Sequence, residues 1–299
     1  MTITWAQYLE QRYASRGTHR VYSSPVRAFV SWAHERGVDP LTAPVAVVAE
    51  YFAGLQDRGC SNGHVVVCAA ALRALRDYAR DILGIERPLE VPAHIGRRGG
   101  TRPMPRTLSE EDFRAYQTAA AKIAGEPERT IVLLAPYCGL RIGEWSSLTM
   151  DDLEQRGQHD GQPLYVLRVV GKGQKERLAP VFSGASQLLR HYLTAVRPRL
   201  GRSRHLFPAG GGRAVSIDAL RAAWRHVRPA LQMRDFRPHI CRSTYATSLL
   251  DLGIPIHEVA RYLGHSSIQT TFACYAATGR GLKLGAIARP WRMEHDRHE

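Results

Sequence analysis

Apolar residues recur at helical spacing through roughly the first 85 positions of the chain. Tyr22, Val26, Phe29, Val30 and Ala33 form one stripe. Thr42 can cap a second helix with Pro44 in its first turn, along which Val48, Phe52 and Leu55 share a face. Ser61 can cap a third, with Val65, Leu72, Leu75, Ala79 and Ile82 on one side. Together with the segment from Trp5 to Tyr13, the pattern predicts about four helices. Such a bundle carries no chemistry of its own.

The periodicity then stops. From Glu86 to Arg106 the chain holds Pro88, Pro92, Pro103 and Pro105, interspersed with Gly96, Gly99 and Gly100. Breakers at that density argue against a regular element. The same stretch carries Arg87, Arg97, Arg98, Arg102 and Arg106. Two readings stay open: an inert linker, or a basic strap lying along DNA while joining two domains. Arginines without acidic partners favour the strap. The expected organisation is a helical domain over 1–86, a basic linker over 87–107, and a second domain with a C-terminal tail over 108–299.

The second domain opens at Ser109-Glu110-Glu111-Asp112, a capping-box-like start. An apolar helix follows through Ile131 to Ala135. Leu164 to Val170 and Lys175 to Val181 read as a hairpin turning at Gly171-Lys172-Gly173-Gln174. Helical patterns return over Ala185–Ala195, Ser216–Val227, His239–Leu252 and Ile256–Leu263, with Gly253 where a helix end favours a residue without Cβ. The expected fold class is mainly α with a small antiparallel β-sheet.

Composition narrows the partner. Of 299 residues, 41 are Lys or Arg and 27 Asp or Glu, a formal charge of +14, which points to a polyanion. An anionic membrane surface is the alternative, but no apolar run approaches the ~20 residues that span a bilayer. The start of the chain lacks a signal-peptide pattern. The five cysteines, Cys60, Cys68, Cys138, Cys241 and Cys274, are odd in number and without CxxC spacing. They read as reduced thiols of a cytoplasmic protein. The thirteen histidines show no metal-ligand spacing, so neither metal nor cofactor is expected.

Four segments could carry chemistry. Gly139-Leu140-Arg141-Ile142-Gly143-Glu144 places an arginine after the apolar helix, with Glu144 able to orient it. Gly171-Lys172-Gly173-Gln174-Lys175-Glu176-Arg177 projects Lys172 at a hairpin tip. His239-Ile240-Cys241-Arg242 puts His239 and Arg242 on one helical face. Leu263-Gly264-His265-Ser266-Ser267 is followed, ten positions after His265, by Tyr275. Taken singly, each has an ordinary reading: a surface ion pair, a solvated turn, a capping histidine, a packed tyrosine.

In this order, however, the four resemble the tyrosine recombinase (phage integrase) family, especially its Xer-like and Cre-like members. The motifs cover residues 139 to 275, and the helical first domain fits the family's core-binding domain in length and texture. The resemblance implies a SAM-like helical domain, an α+β catalytic domain and a C-shaped clamp on duplex DNA. It implies strand cutting and rejoining at a specific site, with Arg141 and Arg242 clamping the scissile phosphate and Lys172 protonating the leaving 5′ oxygen. His239 would assist proton transfer, His265 would hydrogen-bond the phosphate, and Tyr275 would form a 3′-phosphotyrosyl ester. Arg97, Arg98, Arg102 and Arg106 would contact DNA. A tetramer on two sites is implied, with a paralogous subunit or accessory protein as a further partner, and the tail around Ile287, Pro290 and Trp291 packing on a neighbouring protomer.

Two departures stand out. The family commonly places its tyrosine nine residues after the Leu-Gly-His histidine, where this chain has Cys274. The segment before Tyr275 is expected to be irregular and to absorb the extra residue. Cys241 stands where the family often has Leu, a change of packing only. The rival functions are a type IB topoisomerase-like activity and a catalytically silent DNA-binding protein derived from a recombinase.

Overall fold

The computed structural model describes residues 3–13, 16–96, 106–159, 161–171 and 175–265. The chain separates into two compact units, residues 1–101 and 102–299.

The first unit is helical. Its elements are α1 (Trp5–Arg12), α2 (Arg16–His34), α3 (Val45–Asp57) and α4 (Asn62–Asp81). The Thr4 side chain accepts from the Gln7 amide to start α1, and Ser61 does the same for His64 at α4. At α3 the cap is Pro44, not Thr42, whose hydroxyl instead donates to Asp39 at 3.1 Å. The expected stripes meet: Val26, Phe29, Phe52, Val65 and Leu72 are buried together. Each large side chain so buried contributes about 2 kcal/mol. This core also takes in Leu89 and Val91, with Ile95 packed against it. Arg73 fastens the segment by donating to the carbonyls of Pro92 (3.4 Å) and Ile95 (2.7 Å). Packing of the first unit therefore runs into the stretch expected to be linker. Proline excludes helix there but does not exclude burial.

The second unit contains α5 (Glu110–Ala121), α6 (Glu128–Cys138), α7 (Ile142–Ser147), α8 (Ser183–His191), α9 (Ile217–Val227), α10 (His239–Asp251) and α11 (Ile256–Leu263). Its strands β1 (Leu153–His159), β2 (Gln162–Val170) and β3 (Glu176–Pro180) form one antiparallel sheet in that order. The expected hairpin of β2 and β3 forms, with Val169 opposite Arg177 and Val170 opposite Glu176. Strand β1 is an addition: its sequence, Leu-Glu-Gln-Arg-Gly-Gln-His, has no alternation of apolar residues because it is a largely exposed edge. Helix α7 was also not foreseen, being a six-residue turn. Trp145, Tyr116, Tyr192 and Phe207 anchor the core. The Tyr116 hydroxyl donates to the Val132 carbonyl and accepts from Trp224 Nε1, linking α5, α6 and α9. No described helix is long and apolar enough to cross a membrane.

Candidate active site

Three chain segments far apart in sequence meet at the C-terminal end of α11. That helix ends on Gly264 in the left-handed conformation, with the His265 amide donating to the Ala260 carbonyl. The turn leaves the carbonyls of Leu263 and Gly264 pointing outward, and arginines take both. Arg242, in the first turn of α10, donates to Leu263 through Nη2 and to the Gly139 carbonyl through Nη1 at 2.6 Å. Arg141, the residue preceding α7, reaches the Gly264 carbonyl through Nη2 at 3.4 Å. Arg242 is 2% exposed, whereas the side chain of Arg141 is 44% exposed and open to a ligand.

Glu144 orients Arg141 as expected. Its carboxylate accepts the Arg141 amide at 2.7 Å and Nη1 at 2.9 Å. Its principal partner, however, is Arg177 on β3, which donates two parallel bonds at 2.9 and 2.7 Å and a third through Nε to the Tyr262 carbonyl at 2.9 Å. Burial pushes the Glu144 carboxyl up, but the bonds and charge of Arg177, with the bonds from Arg141, hold it below the usual carboxylate value. This is a buried three-group network and not the surface pair that a lone Arg-Glu spacing suggests. Arg177 escaped notice as a site residue. Its signal was its place on the inward face of a strand, beside buried Ala179, where a charge needs a partner.

His265 feels the whole assembly. Burial, then the charges of Arg242, Arg141, His239 and Arg177, pull its pKa down to about 4. The imidazole is therefore neutral at physiological pH. His239 lies exposed at the start of α10 and joins Arg141, Leu140 and Arg237 around a cleft of about 320 Å³. A larger cleft of about 1320 Å³ is lined by Arg141, Lys175, Arg177, Tyr262 and His265 among others.

The structure thus brings together Arg141, Glu144, His239, Arg242 and His265. Lys172 and Tyr275 lie outside the described residues, as do Cys274, Arg97, Arg98, Arg102 and the tail. Arg106, expected on a strap free of acidic partners, is paired with Asp235. Cys241 is buried, and its thiol lies against the hydroxyl of Tyr116. Among the described residues no three His, Cys, Asp or Glu side chains converge as metal ligands. What the site offers is a concentration of guanidinium groups around a neutral histidine, suited to one tetrahedral anion.

Comparison with known proteins agrees with that chemistry. The model of the phage integrase family matches residues 106–280. Tyrosine recombinase XerC of Rhodospirillum centenum is 30% identical over 281 residues, covering 89% of this chain and 80% of the relative. Tyrosine recombinase XerD of Corynebacterium glutamicum is 29% identical, covering 98% and 97%. Among solved structures, the post-cleavage complex of XerH site-specific recombinase with palindromic difH substrate has a similar fold. Its TM-score is 0.68 at 20% identity, over 90% of this chain and 79% of that one.

Proposed function

The chain belongs to the phage integrase family, and from that membership we propose how its residues divide the work of strand exchange. It is a site-specific DNA recombinase that cuts and rejoins strands through a tyrosine. In the proposed division, Arg141 and Arg242 hold the non-bridging oxygens of the scissile phosphate. Guanidinium groups suit this because they stay charged and offer paired donors. They stabilise the charge that gathers on the pentacoordinate phosphorus. His265, neutral above about pH 4, donates a hydrogen bond to the same group.

The Tyr275 oxygen attacks phosphorus and the bond to the 5′ oxygen breaks. The phenolic proton passes towards His239, and Lys172 supplies a proton to the leaving oxygen. Placed acids and bases of this kind are worth ~10²–10⁴-fold in rate. The phosphotyrosyl ester retains the bond energy, so attack by the 5′ hydroxyl of the partner strand reverses the step without an external energy source.

The observation that carries this reading is the meeting of Arg141 and Arg242 at the turn bearing His265, with their charges and that of His239 acting together on His265. Tyr245 is not a competing nucleophile, since its buried hydroxyl donates to the Pro180 carbonyl at 2.8 Å. Tyr262 lines the larger cleft and is the alternative to test. A nicked suicide duplex should trap the chain covalently, with the adduct on the peptide containing Tyr275 by mass spectrometry. Tyr275→Phe should bind DNA and trap none. An adduct on Tyr262 or Cys274, or none with the wild-type chain, would overturn the assignment.

The helical first unit would contribute to holding duplex DNA, and recombination of two sites would require a tetramer, of one chain or with a paralogous subunit or accessory protein. Reduced thiols fit a cytoplasmic home; Cys60, Cys68, Cys138 and Cys241 are free.

A further inference from the structure

We propose that Arg177 is a positioning residue for strand cleavage: it locks the turn carrying Arg141 and the turn carrying His265 to strand β3, so that both phosphate ligands stand at a fixed spacing. The proposal rests on the reading of Arg141 and His265 as phosphate ligands.

Arg177 is 8% exposed and joins its own strand to two other segments. Two nitrogens grip Glu144, which in turn holds the backbone and side chain of Arg141. The third nitrogen grips the Tyr262 carbonyl, two residues before Gly264. The turn itself is shaped to the arginine. A Cβ on Gly264 would lie 2.8 Å from Arg177 Cδ, and the residue has φ of +63°. Glycine is therefore required twice, by conformation and by close approach. Arg177 is the second residue of β3 and stands opposite Val169 of β2. One buried guanidinium consequently links β3 to the segments bearing Arg141 and His265.

A lysine cannot reproduce this. Its single ammonium cannot bridge both carboxylate oxygens and a carbonyl in one plane. Arg177→Lys keeps the charge that balances Glu144 but loosens both turns, and displacements of about 1 Å at reacting groups cost on the order of 100-fold in rate.

The test uses the full chain and a duplex selected from a random-sequence pool by the wild-type protein, nicked beside its cleavage point. DNA affinity, the first-order rate constant of adduct formation at saturating protein, and its amplitude are measured for wild type and Arg177→Lys. The expected result is a rate constant lowered about 100-fold, with Kd within about two-fold and a normal thermal transition. A merely structural role would lower amplitude or melting temperature and leave the rate constant of the folded, bound fraction unchanged; that result, or a change in Kd alone, overturns the proposal. If Arg177→Lys does not fold, Glu144→Gln, which cuts the same link from the other side, is read by the same criteria. Absence of an adduct with wild type would sink the phosphate-ligand reading itself; a wild-type adduct with an unslowed variant sinks only this one.

Discussion

The ring of Tyr245 lies so close to Gly139 that a Cβ on the glycine would fall 2.3 Å from the ring's Cδ1. Gly139 also ends α6 with φ of +62°, and its carbonyl accepts Arg242. Gly139→Ala therefore combines a left-handed alanine with overpacking against a fully buried ring. The expected loss is about 2–4 kcal/mol, read as a shift of the denaturation midpoint in urea. A variant as stable as wild type would mean that α10 can move away from α6 at no cost.

Arg242→Lys should reduce adduct formation by about 100-fold or more, because one ammonium cannot satisfy Gly139 and Leu263 and still face an anion. It should also destabilise the fold by about 2 kcal/mol, through a buried carbonyl left without its donor. Single-turnover trapping and thermal melting measure the two effects separately. Near-wild-type trapping by this variant would remove Arg242 from the phosphate site.

Acid should destabilise the DNA-free protein through His265. Its ordinary value near 6.5 falls to about 4 in the fold, first by burial and then by the surrounding cations. The folded state resists the proton that the unfolded chain accepts. The contribution is thus intact above about pH 6.5 and is lost as the pH falls towards 4. Glu144, held below its ordinary 4.5, adds a separate loss at lower pH. In His265→Gln the melting temperature should fall less between pH 6.5 and 4 than in wild type. Parallel curves for the two proteins would contradict the depressed value.

Arg73→Ala should release the segment after the first bundle. The side chain binds the carbonyls of Pro92 and Ile95, and Gly96 lies where a Cβ would be 2.7 Å from that of Ala69. The expected cost is about 1–2 kcal/mol, with faster limited proteolysis near residues 92–96. Unchanged cleavage there would show that burial of Leu89 and Val91 is sufficient to hold the segment.

Much of this protein was legible along the chain, because local rules govern it. Caps at Ser61, Ser109 and Ser216 mark helix starts through hydrogen bonds three residues long. A run rich in Val, Leu and Tyr marks β2, whose residues 162–169 alternate between part-buried and buried. The motifs around Arg141, Lys172, Arg242 and His265 announce a phosphate chemistry by order alone, and with it the family.

Tertiary structure decided what depends on distant partners. Strand β1 has no apolar face of its own and exists because β2 supplies its hydrogen bonds. Leu89 and Val91 look like linker until the bundle buries them. The ionic state of Glu144 and the neutrality of His265 come from guanidiniums contributed by other segments, whose desolvation and charge no local spacing encodes. Arg177 is the clearest instance. Its spacing says only that it belongs to a strand, whereas its role follows from meeting Glu144, 33 residues away in sequence, and Tyr262, 85 away, through a side chain that is almost fully buried.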